Sequence, residues 1–172
     1  MGKNIVFIGF MGTGKTTIGQ QVAAQLGYEF IDTDHLIETQ EGIGIPEIFR
    51  RYGEPYFRQL ESKVAQQLAE VHHKVISTGG GFPLNPDNLN GFRPDSLIVL
   101  LTAEPEVIFR RVQGQTGRPL LHDPDPLRRI KELLAERAVF YQKADVFLDT
   151  GCYSPEEVSR KVIAEWRKKE IG

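Results

Sequence analysis

Near the start of the chain, Gly9-Phe10-Met11-Gly12-Thr13-Gly14-Lys15-Thr16 brings together the residue types that grip a polyphosphate. Gly12 and Gly14 let the backbone wrap an anion with its N–H groups turned inward. Lys15 supplies a mobile cation for the β- and γ-phosphates, and the Thr16 hydroxyl is placed to hold Mg²⁺. The string is the full P-loop pattern G-x-x-x-x-G-K-[ST]. It lies between an apolar, β-branched run, Lys3 to Phe10, and a helical pattern over Thr16 to Leu26, the setting that pattern requires. Residues Gly12, Thr13, Gly14, Lys15, Thr16 and Thr17 therefore form the expected nucleotide site.

A P-loop alone does not separate kinases from switches. No Asn-Lys-x-Asp string is present to read guanine, and the third and fourth strands end without an acidic residue. The carboxylates come from Asp32-Thr33-Asp34, directly after the second strand. In a parallel sheet the strand C-termini share one edge, so both face the phosphates. Asp32 can serve Mg²⁺ and Asp34 can face an incoming hydroxyl; a helix cap before Leu36 is the alternative for one of them. Arg137 borders an apolar stripe of Ile130, Leu134, Ala138 and Tyr141, where a guanidinium needs a ligand or an internal partner. Arg118 sits in Gln113 to Pro126, a Gly- and Pro-containing stretch without periodicity, and suits a charge clamp on a transferred phosphoryl or a solvated loop charge. Gly79-Gly80-Gly81 follows the third strand; it suits a ligand packed on bare backbone, or a wide turn.

The elements that must position these groups alternate. Strands are expected at Lys3 to Phe10, Tyr28 to Ile31, Val75 to Thr78, Leu97 to Thr102 and Asp145 to Asp149, with helices between them, which means an α/β fold with a parallel sheet covered on both faces. Helical pieces over Ile45 to Tyr52 and Glu54 to Val71 are separated at Gly53. A chain of 172 residues has room for one domain. The balance of 21 Lys+Arg against 23 Asp+Glu gives a net charge of −2, so no basic surplus points to nucleic acid or an anionic membrane. Cys152 is the only cysteine, which excludes an intrachain disulfide, and His35, His72, His73 and His122 lack ligand spacing. A soluble, cytoplasmic monomer with small-molecule substrates, no nucleic acid and no membrane partner is the expectation.

Taken in order, GFMGTGKTTIG, DTD, PEIFRRYGEPYFRQLE, STGGG, RPLL and RAVFYQKAD resemble the shikimate kinase family over nearly the whole chain. The resemblance implies a three-layer, nucleoside-monophosphate-kinase-like P-loop kinase fold with a five-stranded parallel sheet in the order 2-3-1-4-5. It implies a single domain over residues 1–172, with a substrate-binding segment at about 33–62 and a lid loop at about 113–126. It also implies ATP- and Mg²⁺-dependent phosphorylation of the shikimate 3-hydroxyl, a step toward chorismate and the aromatic amino acids. By position, Asp34 would bind the ring hydroxyls and orient or deprotonate the nucleophile. Arg58 and Arg137 would grip the carboxylate, beside Gly79, Gly80 and Gly81. Lys15 and the lid residue Arg118 would act on the phosphates, Thr16 and Asp32 would serve the metal, and Arg111 and Pro155 would flank the adenine. Gly44-Ile45-Pro46 and the Pro-rich Phe82 to Pro86 depart from the usual family pattern in the substrate flap, and neither removes a catalytic group. Open alternatives are a kinase for another hydroxy acid, such as gluconate, and a non-catalytic nucleotide switch.

Overall fold

The computed structural model describes residues 4–93, 95–115 and 122–171. Five strands, β1 (Asn4–Ile8), β2 (Glu29–Asp32), β3 (Lys74–Ser77), β4 (Leu97–Thr102) and β5 (Val146–Asp149), form one parallel sheet in the order β2-β3-β1-β4-β5. The helices are α1 (Lys15–Leu26), α2 (Thr33–Glu41), α3 (Ile45–Ala69), α4 (Asp87–Asn90), α5 (Pro105–Val112), α6 (Pro126–Tyr141) and α7 (Pro155–Ile171). No helix among the described residues is long and apolar enough to cross a membrane.

Alternation along the central strand builds the layers. Ile5 and Phe7 pack with Ile18 and Val22 of α1 and Val158, Val162 and Trp166 of α7. Val6 and Ile8 point the other way, into a core with Val64 and Leu68 of α3, Leu89 of α4, Ile108 of α5 and Ile130 of α6. Both faces of β1 are thus covered, which is why Ile5, Val6, Phe7 and Ile8 read as an unbroken apolar run after Asn4. Asn4 is fully buried and satisfied, donating from Nδ2 to the Val71 carbonyl and accepting the Lys74 N–H.

The alternating reading of the sequence, and the strand order that the family resemblance implies, agree with this architecture. A 3₁₀ turn at Phe82–Leu84 and the short α4 have no periodic signal in the sequence. They are held by local polar bonds instead: Asn85 Oδ1 accepts the Asp87 N–H, and Asn88 Nδ2 donates to the Phe82 carbonyl.

The α3 segment contains the break expected at Gly53, whose φ of 81° and ψ of 173° interrupt an otherwise continuous helix. Those angles are open essentially to glycine alone. The bend turns Ile45–Tyr52 away from the line of the Glu54–Ala69 segment that carries Arg58. Gly53→Ala should therefore lower stability by about 1–3 kcal/mol in urea unfolding; an unchanged midpoint would mean that the bend is not enforced by this residue.

Candidate active site

The Gly9–Gly14 loop leaves β1 and enters α1, whose N-cap is Gly14 in the left-handed region (φ 98°). No side chain caps α1 and its first turn holds no acidic residue, so its N-terminal N–H groups and dipole keep their positive potential. By contrast, α2 is capped by Asp32, whose Oδ1 accepts the N–H groups of Asp34 (2.9 Å) and His35 (3.1 Å). The Lys15 ammonium is buried and donates to the Gly9 and Phe10 carbonyls at 2.7 and 2.9 Å, which ties it to the loop.

A cavity of about 460 Å³ opens over this loop, lined by Gly12, Gly14, Lys15, Thr16, Thr17, Asp32 and Asp34 among others. Thr13 does not line it; its side chain turns inward to donate to the Phe10 carbonyl, so its contribution to an anion comes from backbone. The Thr16 hydroxyl lies 3.4 Å from Asp32 Oδ2. Asp32 therefore fills both readings of the sequence, one oxygen capping α2 and the other beside Thr16. One hydroxyl and one carboxylate suit Mg²⁺, which keeps several waters and takes further ligands from substrate phosphates. No cluster of three or more His, Cys, Asp or Glu side chains able to hold a metal exists among the described residues.

A second cleft, of about 1020 Å³, adjoins the first. Arg58, Arg137, Glu61 and the triple glycine line its floor, and Ile45, Phe49, Phe57, Leu133 and Phe140 supply apolar wall. The two cavities share Met11, Asp34, Gly79 and Gly80. Arg137 stacks its guanidinium over the Phe10 ring, 5.4 Å from the centroid. Arg58 pairs with Glu61 at 2.6 Å and with Glu54 at 3.0 Å.

The triple glycine also makes room inside the protein. The bare backbone accommodates the protein's own charged side chains. A Cβ on Gly79 would stand 2.8 Å from Asp34 Oδ1 and 3.2 Å from Glu61 Oε1. One on Gly80 would stand 3.2 Å from Arg137 Nη1, and one on Gly81 would collide with the Arg58 guanidinium. Tyr141 fixes the run by donating its hydroxyl to the Gly80 carbonyl at 2.7 Å.

Glu61 is the site residue that the sequence reading passes over. It is 1% exposed, and its Oε1, like Asp34 Oδ1, has no hydrogen-bond partner. Its signal was available: it falls on the apolar face with Phe57, Leu60, Val64 and Leu68, three residues after Arg58. Burial lifts its carboxyl to about 7 against the pull of Arg58. Burial, and then the neighbouring Asp32 charge, lift Asp34 to about 6 against the pull of Lys15.

Arg111 and Pro155 line neither cavity. Arg111 donates to the Gly12 carbonyl and to Thr150, while Pro155 opens α7. Arg118 falls within residues 116–121, outside the described residues.

The raised Asp34 value has a thermodynamic sign. Because the folded carboxyl holds its proton to about 6 rather than its ordinary 3.8, the fold bears no cost from it below the lower value and the full cost above the upper one. Asp34→Asn should thus stabilise the unliganded protein by about 3 kcal/mol at pH 8 and by only about 0.5 kcal/mol at pH 4. Urea unfolding at the two pH values checks this, and equal gains at both would reject it.

The shikimate kinase family model matches residues 11–167. A shikimate kinase from Caldanaerobacter subterraneus is 48% identical over 166 residues, covering 96% of this chain and 97% of the relative. Another, from Thermodesulfovibrio yellowstonii, is 45% identical over 170 residues, covering 99% of this chain and 98% of the relative. The solved structure of shikimate kinase from Acinetobacter baumannii in complex with shikimate superposes with a TM-score of 0.92 at 31% identity, covering 100% of this chain and 97% of that one. Motif order, strand order, the two joined cavities and these likenesses agree: the chain belongs to the shikimate kinase family.

Proposed function

We propose that this protein transfers the γ-phosphoryl group of ATP to the 3-hydroxyl of shikimate, giving shikimate 3-phosphate and ADP on the route to chorismate and the aromatic amino acids. The observation that carries the reading is that Asp34 lines both the cavity over the P-loop and the cleft that holds Arg58 and Arg137. An acceptor anchored in the cleft by its carboxylate would present a hydroxyl to Asp34 at the boundary with the nucleotide.

In this assignment Arg58 and Arg137 hold the shikimate carboxylate, a task suited to planar guanidinium donors. Glu61 keeps Arg58 in place through their 2.6 Å pair. Asp34 accepts the proton of the 3-hydroxyl as its oxygen attacks the γ-phosphorus in line, and the bond to the β-bridging oxygen breaks as ADP leaves. Lys15 and the N–H groups that open α1 stabilise charge on the transferring group. Thr16 and Asp32 would hold Mg²⁺, which when bound neutralises phosphate charge. Arg118, in the 113–126 lid segment, is assigned the phosphoryl clamp on sequence grounds, and residues 33–62 the substrate-binding segment.

ADP release measured with and without shikimate tests the reaction. A large shikimate-dependent rate is expected, and equal slow release in both cases would reject it. The rate constant kcat/KM for shikimate should fall as pH drops below about 6, where Asp34 takes up its proton; a flat profile down to pH 5 would remove Asp34 from proton transfer. Gly81→Ala drives a methyl into the Arg58 guanidinium. It should raise KM for shikimate at least tenfold while leaving KM for ATP within about twofold, since a displaced charge-assisted grip is worth about 1.5–3 kcal/mol. Equal changes in both constants would place the effect elsewhere.

A further inference from the structure

On the flank of the P-loop away from the phosphate cavity, one threonine joins three segments that are distant in sequence. Thr150 follows β5 and is 6% exposed. Its N–H donates to the Thr102 carbonyl at the end of β4, at 2.8 Å. Its hydroxyl lies 2.7 Å from the Thr13 carbonyl and 3.2 Å from that of Thr102. A hydroxyl has one proton to give. The shorter distance, and the N–H already received by Thr102, direct that proton to Thr13. The oxygen also accepts from Arg111 Nη1 at 2.9 Å, and the same nitrogen lies 3.1 Å from the Gly12 carbonyl. Arg111 Nη2 donates to the Thr150 carbonyl at 2.7 Å.

Two consecutive P-loop carbonyls, Gly12 and Thr13, are therefore held outward by one guanidinium and one hydroxyl. In a planar trans peptide the carbonyl and the following N–H point in opposite directions. Holding the Gly12 carbonyl outward turns the Thr13 N–H inward, and holding the Thr13 carbonyl outward does the same for the Gly14 N–H. Those donors then face the side on which Gly12, Gly14 and Lys15 line the cavity, a side that neither Arg111 nor Thr150 reaches.

We infer that Thr150 is a positioning residue for the phosphate site: with Arg111 it sets the peptide planes of the P-loop before any nucleotide arrives. Donors aligned in advance need no reorganisation on binding, so the alignment appears as affinity for a phosphate chain. The inference rests on the P-loop being the nucleotide site, as in the proposed function, but not on shikimate being the acceptor.

The test is calorimetric binding of ADP and of inorganic tripolyphosphate, which has no base, to the full chain. Thr150→Val keeps the shape and removes the hydroxyl. It should weaken both ligands by a similar factor, about tenfold, the scale of one buried hydrogen bond with an orphaned carbonyl. Thr150→Ser should restore both. Arg111→Gln, which frees the Gly12 carbonyl from outside the cavity, should also weaken tripolyphosphate, and it carries the test if Thr150→Val does not fold. Weakened ADP with unchanged tripolyphosphate would overturn the inference by confining both residues to the base side. Unchanged affinity for both ligands, no restoration by serine, or no tripolyphosphate binding by the unaltered chain would overturn it as well. Because no step requires turnover, a chain inactive on shikimate would sink the proposed function and leave this result standing.

Discussion

Parallel pairing of β1 with both β3 and β4 is the constraint on which the rest depends. Parallel strands end at one edge, so whatever follows each strand gathers there. Here the loop after β1 is the phosphate-wrapping turn, Thr33 and Asp34 follow β2, the triple glycine follows β3, and Thr150 follows β5. The sheet runs outward to β2 on one side and to β5 on the other, with the break in strand order beside β1. That is where an open α/β sheet has a crevice, and both cavities lie along it.

Charge then had to be placed in a partly buried cleft. Asp34, Glu61, Arg58 and Arg137 crowd onto three glycines whose missing Cβ atoms leave the room. Each carboxylate keeps one oxygen without a partner and a proton affinity above the ordinary range. Such an arrangement is costly to a fold and useful to a reaction, because a carboxyl poised near neutrality accepts a proton more readily from a hydroxyl than one with an ordinary carboxylate value. Polar strain of this kind, concentrated at one edge over an apolar three-layer core, is where stability and function part company.

Much of this was legible beforehand because it is local. The P-loop string, the Asp32-Thr33-Asp34 turn and the Gly53 break depend on residues adjacent in sequence, whose backbone preferences and spacing act over a few bonds. The alternation of apolar runs with helical stripes sufficed for the parallel sheet. Family likeness of the ordered motifs carried the strand order and pointed to Arg58 and Arg137, which the fold brings to one cleft. The short helical turns between Phe82 and Asn90 left no trace, since Asn85 and Asn88 hold them by single side-chain bonds rather than by periodic burial.

What the sequence determined by itself was the set of chemical groups and the order in which they occur: a phosphate cradle, two acidic residues after β2, a glycine run, and arginines on two helices. Only the tertiary structure decided which atoms those groups spend on one another. It placed Glu61 behind Arg58, packed the protein's own charged side chains against the glycines, divided the Asp32 oxygens between a helix cap and Thr16, and tied the P-loop to Thr150 across 137 positions of sequence. The physical reason is that such contacts are set by directions and distances between strand ends and helix faces, and those exist only once the sheet has brought distant segments to one edge.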